Sequence, residues 1–221
     1  MSESNAPAPV SDLPASRRGW VIGLAAAVAI LGLVWMGVRL WQLSPPVDGS
    51  TEVTFARDMM AHHEQAVDMA FILHDRTRDA ALRQFTLDIV LTQQAQIGQM
   101  YGWLSVWGVT ISGLQPPMQG HMGRMGMAAQ EEVNALRTLP MTEAETSFLQ
   151  LMIQHHQGGV AMAQEALALP LRPEVRRLAT SIIDSQQSEI DYMQALLTER
   201  GSEPVGVPTA MPTGMPGMSE H

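Results

Sequence analysis

Between residues 51 and 107, and again between 142 and 200, apolar side chains return every three or four residues, the spacing of a single helix face. Phe55, Met59, Ala66, Ala70 and Leu73 mark the first helix, which should open at Ser50 or Thr51 and run to about Asp75. Leu82, Phe85, Ile89, Ile97, Met100 and Leu104 mark a second, predicted over Thr77 to Trp107, with Gly108 as its stop. Thr142-Glu143-Ala144-Glu145 has the form of a capping box and should open the third helix, which must end before Pro170. Pro173 suits the first turn of a fourth helix ending near Gly201. Between the second and third, glycines and prolines break the pattern, and a short helix is predicted from Ala128 to Leu139.

The N-terminal pattern is different in kind. From Trp20 to Val38 there is no charged residue, and Trp20, Trp41 and Arg39 suit the two interfaces of a bilayer. Residues 1–18, rich in Pro, Ser and Ala, read as a disordered tail, 19–41 as a transmembrane anchor and 42–50 as a linker. Arg17-Arg18 place the N-terminus in the cytoplasm, so the bundle should face the periplasm or the cell exterior. A cleaved signal peptide is the rival, but the apolar run is long for one and no small-x-small site follows before Pro45-Pro46.

The two helix pairs are copies of one another. A shift of 93 residues carries Met59-Met60-Ala61-His62-His63 onto Met152-Ile153-Gln154-His155-His156, Met69 onto Met162, and Gln93-Gln94 onto Gln186-Gln187, without a gap. Two antiparallel pairs, each with one apolar stripe, bury those stripes by packing together. The expected fold is therefore all-α: a ferritin-like four-helix bundle over 51–200 built from a duplicated pair, 51–107 and 142–200, with a Met-rich crossover at 108–141 and a disordered Met-rich tail at 201–221.

Composition narrows the chemistry. The chain has no cysteine, and its 13 basic residues are all arginine against 22 acidic ones, a formal charge of −9 that disfavours nucleic acid and suits cations. A soft-metal site must then use histidine and methionine, of which there are 7 and 17. Each histidine pair has a methionine three residues before and seven residues after its first member, which marks Met59, His62, His63, Met69, Met152, His155, His156 and Met162. Helical geometry puts His63 along the apolar stripe and His62, with Met69, on its flank. Gln93 and Gln186 should face the same interior and hydrogen-bond the inward histidines. Met100 and Met193 read as core.

The competing readings stay open at this point. Four histidines on apolar faces can be hydrogen-bonded core residues of a structural or interaction bundle, whereas recurrence in equivalent helices favours ligands. Thioether with imidazole favours copper, above all Cu(I), with Ag(I) as an equivalent, and Zn(II) can be held by histidines alone. Metal capture by the clusters Met118, His121, Met122, Met125 and Met127, and Met211, Met215, Met218 and His221, is balanced against low-complexity linker. No Glu-x-x-His occurs, and Glu64 and Glu189 face Gln157 and Gln96 in the partner copies, which disfavours a di-iron oxidase; no other enzyme motif is present.

With Phe55-x3-Met59-x2-His62-His63-x2-Ala66-x2-Met69-Ala70 and its second copy from Phe148 to Ala163, the chain resembles the family called domain of unknown function 305, which includes CopM-like copper-binding proteins of bacteria. The resemblance covers about residues 50–200. It implies a ferritin-like bundle outside the cytoplasm, copper binding linked in some members to resistance, and copper ligands at the eight His and Met positions above. Gly159 stands where the second copy usually has alanine. The expectation is a membrane-anchored, non-enzymatic copper binder that sequesters the metal or passes it to a copper-handling partner, with self-association also compatible.

Overall fold

The computed structural model describes residues 15–113, 125–202 and 205, with side chains for 20–40, 44–113, 125–202 and 205. Residues 15–18, expected to be disordered, are helical; the expected disorder of 1–14 and of most of the tail, the Trp41 side chain, the motif residues Met118, His121 and Met122, and those at Met211, Met215, Met218 and His221 lie outside what it describes. Two compact units are present, residues 1–45 and 46–221.

The first unit is one helix, α1, Ala15–Leu43. Its stretch Trp20–Leu40, 21 residues, is long and apolar enough to cross a membrane, since a rise of about 1.5 Å per residue carries it across roughly 30 Å of hydrocarbon. The Arg39 guanidinium lies 5.3 Å over the Trp35 ring, so its charge rests on an aromatic face at the helix end.

The second unit holds two helical hairpins. The first is α2, Thr51–Arg76, and α3, Ala80–Trp107; the second is α5, Met141–Leu167, and α6, Pro173–Glu199; α4, Gln130–Ala135, lies on the crossover. The hairpins meet mainly along α2 and α5. Arg76, at the end of α2, donates to the Leu136 and Leu139 carbonyls, fastening the crossover to the first hairpin.

Three boundaries in this unit depart from expectation, each for a local reason, and α1 overruns the expected 19–41 at both ends. α3 begins at Ala80 and not Thr77 because the Asp79 carboxylate accepts from the Ala81 and Leu82 amides at 2.9 and 3.1 Å, the work of an N-cap. The expected capping box at Thr142–Glu145 does not form: α5 starts at Met141 behind Pro140, and Glu145 accepts instead from the Thr77 hydroxyl at 2.6 Å. α4 is shorter than the predicted 128–139, its turn continuing as Val133 and Leu136 enter the core. Gly108 ends α3 as expected, in the left-handed region at φ 72°, where a side chain would be strained.

The core is split in two. One apolar cluster takes Ala66–Leu73 of α2, Leu82–Val90 of α3, Phe148–Ile153 of α5 and Ile190–Leu197 of α6. The other takes Val53–Met60, Met100 and Leu104, Met162–Ala166 and Val175–Ile182. The helices within each facing pair therefore run antiparallel: the late residues of α2 meet the early residues of α5, and α3 and α6 behave the same way. Between the clusters every helix changes to buried polar residues, His62 and His63, Gln93 and Gln96, His155 and His156, and Gln186. Met100 and Met193 are fully buried core, as expected.

Candidate metal centre

All four motif histidines are fully buried in this polar layer. The expectation that His62 borders the apolar stripe is corrected here: the flank of α2 is the face that meets α5. His62 and His155 lie ring against ring across that contact, centroids 3.7 Å apart and planes tilted by 32°. His63 and His156 stand outside this central pair, 6.3 and 6.2 Å from their neighbours.

The hydrogen bonds at the layer's edges set the tautomers. His63 Nε2 donates to Gln96 Oε1 and His156 Nε2 to Glu189 Oε2, both at 2.6 Å, and His62 Nε2 donates to the Met125 carbonyl at 2.9 Å. Each of these rings then has Nδ1 left to offer a lone pair inward, and each Nδ1 is buried without a hydrogen-bond partner. Neither nitrogen of His155 has one. Gln93 and Gln186, expected to hold the inward histidines, do not: both ends of each amide are buried and unpartnered, and the holders are Gln96 and Glu189, one turn further along. Residues three apart share a helix face, so periodicity alone could not choose between them. The separation of 33 residues from His63 to Gln96 and from His156 to Glu189 recurs in both copies, but so does the 30 to Gln93 and Gln186, so the repeat could not choose either.

Burial keeps His62, His63 and His155 neutral. It pushes His62 down to about 3, with repulsion from His63 adding to the shift and the Met125 carbonyl opposing it. It pushes His63 down to about 4 against the opposing Gln96 bond. His155 is held well below the usual imidazole range by burial and by His62 beside it. A neutral imidazole is the form that ligates a metal.

The methionines of the motif divide between the two cores. Met59 and Met162 belong to the cluster on one side of the histidine layer, Met69 and Met152 to the cluster on the other, and all four are buried. The structure brings the four histidines together and sets one thioether pair on each side of them. Among the described residues no three His, Asp or Glu side chains converge on one metal-sized point. Imidazoles of the described residues alone thus do not complete a shell, and thioethers or amides beside them are the further donors this layer offers a soft ion.

A backbone strap from the crossover closes one edge. Gln65 clamps Ala128 through two bonds, Nε2 to the carbonyl at 2.9 Å and Oε1 from the amide at 2.8 Å, while His62 holds the Met125 carbonyl. A Cβ on Gly158 would overlap the Met125 carbonyl, and one on Gly126, which sits at φ 66°, would overlap the Gln154 carbonyl. Gly158 is the repeat partner of Gln65, so the first copy grips the strap where the second makes room for it. Nothing in the hydrophobic periodicity marks this contact.

Residues 52–197 match the family described as domain of unknown function (DUF305). The chain belongs to DUF305. A DUF305 protein of Streptomyces coelicolor, described as a candidate secreted protein, is 44% identical, with a TM-score of 0.66 over 71% of this chain and 97% of that one. CopM in its Cu(II)-bound form is 30% identical, with a TM-score of 0.58 over 67% of this chain and 96% of that one. CopM structures with Cu(I) and with silver are 26% identical to this chain. An uncharacterized protein of Acanthamoeba polyphaga mimivirus is 37% identical over 68 residues, 31% of this chain and 44% of that protein's length.

Two outcomes follow for this DUF305 bundle. Alanine at Gly158 should displace the strap and cost about 1–3 kcal/mol, as overpacking against rigid backbone does. Alanine at Gly159 meets only the end of the Gln186 side chain, which can swing aside, and should cost under about 1 kcal/mol. Denaturant unfolding, with amide exchange read at residues 125–128, checks both; equal costs, or an undisturbed strap in the Gly158 variant, contradict this packing. The second outcome concerns acid. The folded-state values of His62 and His63, about 3 and 4, lie below the ordinary 6.5, so between pH 6.5 and 4 the unfolded chain binds more protons. Stability of the metal-free chain should fall through that window as pH falls, by about 1 kcal/mol per unit for each ring, and be flat above it with respect to these groups. Melting in chelator-treated buffer at pH 7, 6 and 5 reads this directly, and a constant melting temperature contradicts it.

Proposed function

We propose that this chain is a membrane-anchored, extracytoplasmic copper-binding protein that sequesters the metal or hands it to a partner, with the histidine layer and its flanking methionines as the site. The observation that carries the reading is the central pair, His62 against His155, in a layer whose polar atoms are buried and unpartnered. Ten such side-chain atoms occur among the described residues: five on the four histidines, four on Gln93 and Gln186, and one on Gln157. At about 1–3 kcal/mol for each unsatisfied group, such a layer rivals the roughly 5–15 kcal/mol of net stability of a whole domain. A core selected for stability alone gains nothing from it, whereas lone pairs turned inward are what a cation requires.

The donor set fits copper. Neutral imidazole and thioether are both soft to borderline ligands, and the thioethers of Met59 with Met162 and Met69 with Met152 favour Cu(I) over harder ions. CopM, which shares this fold at 30% identity, binds Cu(II), and its Cu(I) and silver forms support the same chemistry here. His62, His63, His155 and His156 would supply nitrogen and the four methionines sulfur. Met125 and Met162 line a cavity of about 290 Å³ together with Asp58 and Glu165, a side from which a cation meets carboxylates before thioether. No reaction is assigned to the site.

The anchor rests on the apolar stretch Trp20–Leu40 of α1 and on Arg17-Arg18 before that stretch, which would orient the bundle outward. Membrane fractions washed with carbonate should retain the protein with its N-terminus intact; a mature chain beginning after residue 30 makes α1 a cleaved signal. For the site, changing Met59 and Met162 together to leucine keeps apolar volume and removes two thioethers. Cu(I) affinity, measured by chelator competition, should fall at least about tenfold while Zn(II) affinity holds within about threefold. Equal losses of both metals, or none, remove methionine from the site, and a wild-type chain that binds no copper overturns the function.

A further inference from the structure

At His63 and His156 the two halves of the layer match in geometry and differ in charge. His63 and His156 are repeat partners, both fully buried, both donating through Nε2 over 2.6 Å to a residue 33 positions later. The acceptor in the first half is the neutral amide of Gln96. In the second half it is Glu189, whose side chain is 18% exposed beside a ring that is 0% exposed. The comparison is internally controlled: same fold, same ring atom, same distance, with one acceptor neutral and the other a carboxylic group.

We propose that Glu189 tunes the second half of the site toward oxidised copper, leaving the Gln96 half matched to Cu(I). The inference rests on the copper reading above and deepens it. A carboxylate accepting from Nε2–H pulls that proton outward and raises electron density at Nδ1, the nitrogen left to face the interior. The extra negative charge also offsets more of a dication than of a monocation inside a medium of low dielectric. Gln96 fixes the same tautomer and ring orientation but supplies neither effect. Glu189 is thus a positioning and tuning residue that acts through His156, and duplication followed by one Gln/Glu difference yields two unlike donors in one bundle.

The test uses the full chain in detergent, loaded with copper alone, as wild type, Glu189→Gln and the reciprocal Gln96→Glu. Both substitutions conserve shape, and the melting temperature of the metal-free proteins checks the fold. Glu189→Gln should weaken Cu(II) about tenfold, as loss of a group behind a ligand does, with Cu(I) affinity within about twofold. A tenfold difference between the two states raises the one-electron copper midpoint potential by about 59 mV. Gln96→Glu should shift the potential the opposite way, and each variant should alter the Cu(II) electron paramagnetic resonance spectrum. Should Glu189→Gln fail to fold, the direction of the Gln96→Glu shift decides alone. Copper binding with unmoved potentials, or equal loss of Cu(I) and Cu(II), overturns this proposal and leaves the copper site standing; no copper binding by the wild type overturns both.

Discussion

The placement of four buried imidazoles at mid-height in an apolar bundle is the constraint on which the rest of the second unit turns. Each of the four bundle helices carries buried polar residues at that level, and the core divides there into an upper and a lower apolar cluster. Those clusters supply the burial that holds the helices together, at roughly 25 cal/mol for each Å² of apolar surface removed from water. They also keep water and counter-charges away from the rings, and this is why His62 and His63 stay neutral far below the ordinary imidazole range. Stability and ligand readiness therefore come from the same packing.

Duplication explains the layer's symmetry, and the departures from symmetry explain its working parts. His62 meets its own repeat partner His155 because α2 and α5 are equivalent helices lying antiparallel at the bundle's centre. Gln65 and Gly158 have lost equivalence because only one crossover exists: a strap that lies across both copies needs a grip on one and clearance on the other. Gln96 and Glu189 have kept their geometry and lost equivalence in charge.

Most of the fold was legible in the chain because helical periodicity, two prolines and a few glycines act locally. The boundaries that moved did so through side chains the pattern treats as interchangeable: Asp79 outcompeted Thr77 for the cap of α3, and Glu145 turned from its own helix to Thr77. The histidines and methionines of the centre were legible as a repeated motif, but which of them touch was not. A helical wheel places His62 on a flank without saying that the flank is an interface, and it places Gln93 and Gln96 on one face without saying which reaches the ring. Met125 was visible only as one methionine of a glycine-rich run; its contribution to the layer is a backbone carbonyl, which no residue type announces.

On the proposed copper reading, the motif methionines would serve two purposes that would conflict in other residues. Met59, Met69, Met152 and Met162 are buried among aliphatic side chains and fill core volume as leucine would, yet their sulfurs remain soft donors. Histidine cannot do this, since its unused nitrogen must be satisfied or left at a cost. A site that takes most of its sulfur donors from the core needs no polar cavity for them and loses little packing when empty. The unfavourable part of the metal-free state is then confined to the histidine and glutamine layer, and an ion that engages those lone pairs adds its binding free energy to the stability of the folded bundle.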